Sequence, residues 1–557
     1  LAGLIYIKTK DPTDKFEGTS EITLGDYGTQ NLGIAFGGPM KNEKLKYRLV
    51  LRTDYADGFR KNIFLNKSDT SKKDELTLRY KLNWDLNETT EINFLISKVD
   101  MDDPADIWTI DGSLNTLSDR PGMDSQETDS YGIKITKNFN NFDLQSFTSV
   151  TNTDVNFSYD ADWGNSESHF PYIYDYFSET LRKRDTFSQE IRFLSKNTDF
   201  SQKNPFEWVF GFDFSELEET NVTRDDGIYG DPSDPYGPYE SESVVSRNYE
   251  AENLSLFGNI DYFLSENYKL AFGLRWENWD SKYNDSNQES FNPSDNMNGG
   301  KISLIKNNDN SNIYFSIARG YKQGGFNLGL DATDNSIKDS LIYDPEFLTN
   351  YEIGLSSNNN NSILNYSAVF FFSKREDQQV LISRQVDPTD PNTFSYLTQN
   401  AAEGENYGLE ISSNYFVRDN LNLYANFGLL KTKIKNWESR SDLENRAQAH
   451  APERNFSLGA NLSFKNNFYL KMDINGKSSF FYSDSHNNKS KSYKLVNLSL
   501  GYTKSNFSTD IWVRNLFDEY YSTRGFFFGN EAPNFVDTLY RRQGDPKNIG
   551  ISLRYDF

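Results

Sequence analysis

The chain has 557 residues and no cysteine, and its 81 Asp and Glu residues outnumber its 58 Lys and Arg residues, giving a net charge of −23. Without cysteine, neither a disulfide framework nor a thiolate metal site can form, and the acidic balance argues against a nucleic-acid partner. No apolar run approaches the roughly 18 residues of a membrane-spanning helix. A search for long apolar runs does not detect membrane barrels, because only every second residue of their strands faces lipid.

The chain opens on "LAGLIYIKTKDP", which has no initiator methionine and no basic segment followed by an apolar one. A signal peptide would show both of those segments. We therefore expect the sequence to begin partway through a longer protein.

From residue 16 onward, apolar and polar residues alternate in one stretch after another. A period of two places successive side chains on opposite faces of a β-strand. Counting these segments predicts about 22 strands, with residues 16–557 in one all-β domain and no helical segment between them. Clear examples are "FEGTSEITL" (16–24), "YKLAFGLRWE" (268–277), "NYEIGLSS" (350–357), "YGLEIS" (407–412) and "NIGISLRYDF" (548–557).

Short polar turns alternate with long connections between these strands. Short turns at one end and long loops at the other are typical of outer-membrane barrels, whereas a soluble sandwich has no reason to sort its loops by length. The pattern predicts a transmembrane antiparallel β-barrel with short periplasmic turns and long extracellular loops. The turns are "GGPMKNE" (37–43), "NETT" (87–90), "FNNF" (139–142), "NNDNSN" (307–312), "SSNNNNS" (356–362) and "FKNN" (464–467). The long connections span about 100–128, 157–182, 218–248, 278–298, 320–346, 376–402 and 520–545.

In the last strand, Leu553, Tyr555 and Phe557 share one face, while Arg554 and Asp556 share the other. A strand that ends a chain leaves an unpaired edge unless it pairs with the first strand, which closes a barrel. We expect the apolar set to face lipid, with the terminal aromatic in the interfacial girdle. The three apolar residues also resemble the C-terminal signal that outer-membrane proteins present to the barrel assembly machinery.

Several stretches, taken in this order, resemble the TonB-dependent receptors of Gram-negative outer membranes. The resemblance runs from the first residues to the last and rests on the whole series of stretches, since no one of them is specific. "AGLIYIKTKDPTDKFEG" (2–18) is similar to the junction between plug and barrel in that family. The later stretches are "FSQEIRFLS" (187–195), "WVFGFDF" (208–214), "IARGYKQGGFN" (317–327), "YDPEFLTNYEIGLSS" (343–357), "NAAEGENYGLEIS" (400–412), "VRNLFDEYYSTRG" (513–525) and "ISLRYDF" (551–557).

The resemblance implies active import of a scarce, bulky nutrient, most often a ferric siderophore, with an oligosaccharide, cobalamin or haem as the alternatives. In the family a plug domain fills the barrel, and the TonB–ExbB–ExbD complex pulls on a TonB box ahead of it. This sequence shows no TonB box and little of a plug, so residues 1–15 are expected to be the end of the plug and the junction. We expect a monomer surrounded by outer-membrane lipid and lipopolysaccharide.

The fourth predicted outer loop, "NFSYDADWGNSESHFPYIYDYFSET" (156–180), is rich in aromatic residues. Rings in an outer vestibule can stack on a catecholate or porphyrin, or grip a sugar. The alternative is that they belong to the interfacial belt or pack the loop on itself. The ligand-binding candidates in this loop and in "DDGIYGDPSDPYGPYE" (225–240) are Tyr159, Trp163, Tyr172, Tyr174, Tyr176, Tyr236 and Tyr239.

Cationic side chains near the pore would attract an anionic ferric siderophore. The alternative for Arg319 is a place in the lumen wall, paired with carboxylates of the plug, and the alternative for Arg524 is packing of the last outer loop. The candidates in "RGYKQGGFN" (319–327) and "STRGFFFGNEAPNFVDTLYRR" (522–542) are Arg319, Tyr321, Lys322, Phe326 and Arg524.

The acidic stretch "DMDDPADIWTIDG" (100–112) is a conceivable calcium site, since hard cations take several oxygen ligands. Its spacing is not that of an EF-hand, and a solvated acidic loop is the preferred interpretation. His169, His450 and His486 fall in predicted outer loops, where two of them could ligate haem. We expect three ordinary surface histidines, no metal site and no cofactor.

An outer-membrane enzyme or an adhesin is the alternative from another class. A hydrolytic barrel needs a nucleophile with a base within hydrogen-bond reach. With three scattered histidines and no cysteine, the sequence shows no such set. The sequence therefore favours transport, and we expect no catalytic residues.

Overall fold

The computed structural model describes residues 5–41, 43–196, 205–235, 237–328, 341–357, 363–385, 394–437, 441, 443–484 and 486–557. Within this part of the chain, 22 long strands and the two-residue strand Ser290–Phe291 form a single antiparallel sheet whose two ends meet. Among the same residues, no helix is long and apolar enough to cross a membrane. The architecture is the all-β barrel that the alternating pattern predicts.

The strands follow one another around the barrel in chain order. The first eleven are β1 (Glu17–Gly25), β2 (Gln30–Pro39), β3 (Leu45–Ala56), β4 (Lys73–Asn87), β5 (Thr90–Pro104), β6 (Met123–Asn138), β7 (Phe142–Asp160), β8 (Ile173–Ser195), β9 (Phe206–Gly230), β10 (Tyr239–Phe263) and β11 (Tyr268–Asp285). The second eleven are β12 (Ser294–Asn307), β13 (Ser311–Lys322), β14 (Glu346–Ser357), β15 (Leu364–Gln385), β16 (Phe394–Arg418), β17 (Leu421–Lys435), β18 (Arg454–Ser463), β19 (Phe468–Lys477), β20 (Tyr493–Lys504), β21 (Phe507–Arg514) and β22 (Asn548–Asp556).

The last strand closes the barrel on the first. β22 pairs with β1 from Thr19 opposite Asp556 to Gly25 opposite Gly550, and its other edge pairs with β21. Closure leaves neither strand with a free edge, which a bilayer requires because lipid offers no hydrogen-bond partners. The predicted pairing of the terminal strands is confirmed.

Side chains alternate between the two faces of the wall. On β11, Phe272 and Leu274 are 46% and 58% exposed, whereas Ser303 and Ser316 of the next two strands are buried on the opposite face. An apolar belt exposed on strand after strand is what a barrel presents to the hydrocarbon of a membrane. The apolar face therefore points outward to lipid, and the polar face lines the lumen.

The short turns gather at one end of the barrel. Among the described residues they occupy 40–41 with 43–44, 88–89, 139–141, 264–267, 308–310, 419–420, 464–467 and 505–506. The predicted turns at 37–43, 87–90, 139–142, 307–312 and 464–467 are thus confirmed to within a few residues. The predicted turn at 356–362 lies largely outside the described residues. This end is the periplasmic one, and the longer connections, together with the four-residue turn 26–29, leave the opposite, extracellular end.

Three of the predicted long loops are largely strand, and these expectations were wrong. β9 and β10 stay paired as far as Tyr229 and Tyr239, so little of 218–248 is loop. Most of 278–298 and 376–402 likewise belongs to strands. Beyond the bilayer both faces of a strand meet water, so the apolar face that signals a lipid-facing strand disappears although the ladder of hydrogen bonds continues.

Three outer connections, residues 105–122, 161–172 and 515–547, contact one another above the barrel. The last one, residues 515–547, carries a hairpin in which Ser522–Phe528 pairs with Thr538–Gln543. Asn530 Nδ2 of this connection donates to the carbonyl oxygen of Asp162 at 2.6 Å, which ties it to the loop between β7 and β8. These contacts shape the space described next.

A candidate ligand-binding cavity at the extracellular end

A cavity of about 920 Å³ lies at the extracellular end, bounded by the outer parts of β4 to β9 and by the connections 57–72, 105–122, 161–172 and 515–547. This volume is in the range of sites that enclose a small ligand. Five of the residues singled out from the sequence line it together: Tyr159, Trp163, Tyr174, Tyr176 and Arg524. Phe528, which stands near Arg524 in the last outer loop, also lines it, and sequence reasoning missed further lining side chains, notably Lys72, Lys73, Trp108, Phe157 and Arg542.

Trp163 is the centre of the aromatic part of this lining. Its ring stacks on Trp108 at 5.5 Å between centroids and 20° between planes, and it also packs on Phe528 and, edge to face, on Tyr540. Trp163 is only 7% exposed. The ring therefore joins three separate connections. It both lines the cavity and packs the loops on one another.

Two acidic residues hold the loop that carries Trp163. Asp162 accepts hydrogen bonds from the backbone N–H groups of Gly164 and Tyr176, both at 2.8 Å. Asp160, at the outer end of β7, accepts one from the Trp163 N–H at 3.0 Å, while its Oδ2 atom is buried and makes no hydrogen bond with the described residues. Burial, reinforced by the charge of Asp162, raises the pKa of Asp160 well above the usual range of a carboxyl group.

Arg524 and Arg542 face each other across the hairpin of the last connection. Both line the cavity, and neither guanidinium is hydrogen-bonded or ion-paired to a residue that the structure describes. Like charges placed directly opposite on paired strands repel each other. An anionic group between the two arginines would remove this repulsion and accept hydrogen bonds from both.

Asp106 also lines the cavity, but its carboxylate is already satisfied. It accepts hydrogen bonds from Asn62, Thr116 and Ser118 at 3.1, 2.6 and 2.8 Å. Within the described chain, no three His, Asp or Glu side chains are grouped so as to hold a metal ion. In the acidic stretch 100–112, Asp106 thus acts as a structural acceptor between two loops.

The other sequence candidates lie elsewhere in the barrel. Tyr321 donates from its hydroxyl to Glu277 Oε2 at 2.8 Å, and the Arg319 guanidinium lies 4.3 Å from the ring of Phe347. Tyr172, Tyr239 and Lys322 are not part of the cavity lining, and Tyr236 lies outside the described residues. Phe326 packs its ring on three other aromatic rings, those of Tyr249, Tyr283 and Phe291.

The three histidines are in outer connections, as predicted, but they are not all surface residues. His169 is 7% exposed and packs edge to face on Tyr174, because the loop folds over it. Burial lowers the pKa of His169, and burial together with the charge of Arg446 lowers the pKa of His486 to about 4. His450 is exposed.

A closed barrel of this size, with short turns at one end and a belt of apolar side chains facing outward, belongs to the transmembrane barrels of Gram-negative outer membranes. The model of one family, described as TonB dependent receptor-like, β-barrel, matches residues 91–516. The chain therefore belongs to this family of outer-membrane receptors, and family membership supports import of a nutrient as its role.

Several solved structures share the fold. The ferric yersiniabactin uptake receptor FyuA from Yersinia pestis has a TM-score of 0.80 and 18% identity, and the match covers 99% of this chain and 81% of that one. The siderophore receptor PiuA from Acinetobacter baumannii has a TM-score of 0.75 and 15% identity, and the match covers 98% of this chain and 82% of that one. The copper transporter OprC has a TM-score of 0.73 and 14% identity, and the match covers 98% of this chain and 82% of that one. At these identities the likeness establishes the fold, and the cargo has to be argued from the site.

Proposed function

We propose that the protein imports a ferric siderophore across the outer membrane and that the cavity at the extracellular end is where the complex first binds. The observation that carries this proposal is the opposed pair Arg524 and Arg542, with no ion partner among the described residues, beside the rings of Trp108 and Trp163. Ferric siderophore complexes are often anionic and commonly carry flat conjugated groups. Guanidinium groups bind such anions, and indole rings pack on flat groups.

The cavity favours a siderophore over haem among the alternatives. Haem iron needs an axial side chain, most often histidine. The described lining of the cavity contains no histidine, and the nearby His169 is enclosed by its own loop. Oligosaccharide and cobalamin remain the alternatives that an uptake experiment has to separate, because an aromatic wall also suits a sugar.

We further propose that the TonB–ExbB–ExbD complex energises transport through a plug domain, of which residues 1–15 are the end. The contacts of the segment before β1 support this assignment. Lys81 Nζ donates to the Thr9 carbonyl oxygen and to Asp11 Oδ1, both at 2.9 Å, and Lys46 pairs with Asp14 at 2.7 Å. The segment thus runs along the lumen face of β3 and β4, where a domain inside the barrel would leave it.

Iron uptake tests the proposal directly. The receptor, with its native upstream segment, is expressed in a Gram-negative host that lacks its own siderophore receptors, with TonB present or deleted. Radiolabelled iron is supplied as catecholate, hydroxamate and carboxylate complexes, and labelled cobalamin and a maltooligosaccharide are supplied in parallel. We expect uptake of iron from one class of complex only when TonB is present. Uptake of only cobalamin or sugar would contradict the choice of cargo, and uptake independent of TonB would contradict the proposed energy source.

A further inference from the structure

The outward face of β17 changes from apolar to basic as the strand leaves the lipid belt. Phe427 and Leu429 are exposed on this face, and the next residues on it are Lys431, Lys433 and Lys435. The residues between these lysines are buried on the opposite face. Since alternate residues of a strand share a face, the three lysines stand on the outside of the wall, at the extracellular edge of the belt.

Two nearby strands extend this basic surface. Arg454 of β18 lies directly opposite Leu429, and the register from β18 through β19 to β20 places Lys494 on the same outward face. Both basic side chains are exposed. Neighbouring strands are about 4.8 Å apart, so the cations spread over about 14 Å from β17 to β20. We call this set the basic outer patch, and its members are Lys431, Lys433, Lys435, Arg454 and Lys494.

Within the described chain, no carboxylate neutralises the basic outer patch. None of its five side chains makes an ion pair or hydrogen bond with a residue that the structure describes. Glu405 of β16 lies directly opposite Lys433 but is not ion-paired with it, and the neighbouring Glu403 pairs with Lys374 at 3.8 Å. Among the described residues of β18, β19 and β20, no carboxylate faces outward.

The opposite part of the wall carries the reverse charge. On β5, β8 and β11, the outward side chains of Lys98, Lys183 and Lys282 each lie within 4.0 Å of a carboxylate oxygen. Further carboxylates share this face, and they include Asp129, Asp185, Glu218 and Asp280. Above the lipid belt, the outside of the barrel is thus divided into an acidic part and a basic part.

We propose that the basic outer patch binds the phosphate groups of lipopolysaccharide, the diphosphorylated lipid of the outer leaflet. Ammonium and guanidinium groups donate charge-assisted hydrogen bonds to phosphate oxygens. A spread of about 14 Å is too wide for one phosphate group and suits a lipid that carries two.

The surroundings of the basic outer patch also suit such a lipid. The Lys433 ammonium lies 6.0 Å from the centre of the Tyr407 ring, and aromatic rings of this kind mark the level of the lipid headgroups. Phe427 and Leu429, further down the same face of β17, would contact the acyl chains. A lipid in this place would therefore meet cations at its headgroup and apolar side chains along its tails.

The acidic part of the wall would repel the same phosphate groups. The distribution of charge therefore favours one lipid molecule bound on one side of the barrel over an even ring of them. This inference concerns the outside of the wall, so it depends neither on the proposed cargo nor on the plug domain.

Native mass spectrometry tests the inference on the delipidated receptor, with its native upstream segment, in detergent with EDTA. The probe is diphosphoryl lipid A, the lipid part of lipopolysaccharide, and EDTA removes divalent cations that could bridge it to the carboxylates. We expect saturation at one molecule per receptor. The combined variant Lys431→Gln, Lys433→Gln, Arg454→Gln should bind lipid A at least tenfold more weakly. The variant Lys431→Arg, Lys433→Arg, which keeps the charges, should bind it within twofold of the unchanged protein.

The matched control is the combined variant Lys98→Gln, Lys183→Gln, Lys282→Gln, which removes three positive charges from the acidic part of the wall. Its affinity should stay within twofold of that of the unchanged protein. Folding of each variant is checked by the heat-dependent shift of the barrel band in gel electrophoresis. The proposal is overturned if lipid A shows no saturable binding, or if the control variant weakens binding as much as the patch variant.

Phosphatidylglycerol, which has one phosphate group, and inorganic pyrophosphate are titrated in parallel. Equal affinity for phosphatidylglycerol and lipid A would overturn the choice of a diphosphorylated lipid. Saturable pyrophosphate binding that is lost in the patch variant would show a site for free anions and overturn the choice of a lipid. Weak binding of both probes beside tight binding of lipid A is the result that the proposal predicts.

Discussion

Gly18 and Phe557 lock the barrel at its seam. The Gly18 N–H donates to the Phe557 carbonyl oxygen at 2.7 Å, and the Phe557 N–H donates to the Gly18 carbonyl oxygen at 2.9 Å. The Phe557 ring occupies the space that a side chain at position 18 would need, since a Cβ atom there would lie 2.2 Å from the ring Cζ. The Phe557 ring thus covers the start of β1 at the closing strand pair, where Gly18 has no side chain to compete for the space.

Gly18→Ala should therefore destabilise the closed barrel, because the added methyl group forces the Phe557 ring out of its place. Overpacking of this kind costs about 1–3 kcal/mol. The measurement is the temperature at which the heat-dependent band shift of the folded barrel is lost. Gly33→Ala is the matched control, because a Cβ atom there meets nothing nearer than the Glu21 Cβ at 4.0 Å. If both variants lose the band shift at the same temperature, the packing of Phe557 on Gly18 does not stabilise the closed barrel.

Arg524→Gln should weaken binding of the ferric complex at the extracellular cavity. Loss of one hydrogen bond to a charged group is worth about 1.5 kcal/mol, which corresponds to roughly a tenfold weaker dissociation constant. Calorimetric titration of the purified receptor measures it. Arg541→Gln is the control, because Arg541 is in the same hairpin but does not line the cavity. If both variants bind equally well, the opposed arginines do not hold the ligand.

The loop between β7 and β8 should loosen as the pH rises. Burial raises the pKa of Asp160 and of Asp162, so their stabilising effect is complete below the unfolded value of about 4 and is lost as the pH rises through the folded values. Burial lowers the pKa of His169, whose effect is therefore lost only as the pH falls below about 6.5. Above neutrality Asp160 is the group that acts, because its pKa is raised to about 9, whereas that of Asp162 is raised only to about 6.

Near-ultraviolet circular dichroism of the Trp108–Trp163 stack follows this change. We expect its signal to decrease from about pH 7 to about pH 9, and Asp160→Asn to remove most of that dependence. Asp231→Asn is the control, because Asp231 is a carboxylate in another outer loop that accepts hydrogen bonds from Ser233. A signal that stays constant in the unchanged protein would show that the buried carboxyl groups do not control the loop.

Tyr321→Phe should lower the free energy of unfolding by about 1.5 kcal/mol, the size of a hydrogen bond to a charged acceptor. Its hydroxyl group donates to Glu277, which also accepts from Arg275 at 2.8 Å and from Asn253 at 3.0 Å. Urea unfolding in detergent measures the change. Tyr351→Phe, whose ring is 43% exposed on the lipid face, should change little. If both variants lose the same free energy of unfolding, the hydrogen bond from Tyr321 to Glu277 does not stabilise the barrel.

The local pattern was enough to predict the barrel, because the alternation of apolar and polar residues over a few positions identifies the two faces of each strand. The closing pair follows from the same reasoning, since "ISLRYDF" must find a partner and β1 is the free edge. The strand ends above the membrane were missed, because the alternation that marks a lipid-facing strand is absent where water wets both faces.

The cavity was predicted only in part. The aromatic residues near 156–180 stood out by composition, and Tyr159, Trp163, Tyr174 and Tyr176 do line it. Trp108 was missed because its neighbourhood reads as an acidic loop and its partner is far along the chain. The pairing of Arg524 with Arg542 depends on a hairpin in an irregular connection, and the Asn530–Asp162 contact joins residues 368 positions apart. Such contacts follow from the folded loops alone.

The central claim is that a ferric complex binds beside the stacked indole rings of Trp108 and Trp163. The most direct measurement is fluorescence titration of the receptor, which has eight tryptophans, with ferric siderophores of each class and their iron-free forms. We predict that one ferric complex gives saturable quenching and its iron-free form none. In the doubly substituted Trp108→Phe, Trp163→Phe receptor, most of this quenching should disappear while calorimetry still detects binding. Quenching of unchanged size in that receptor would place the ligand elsewhere and contradict the account.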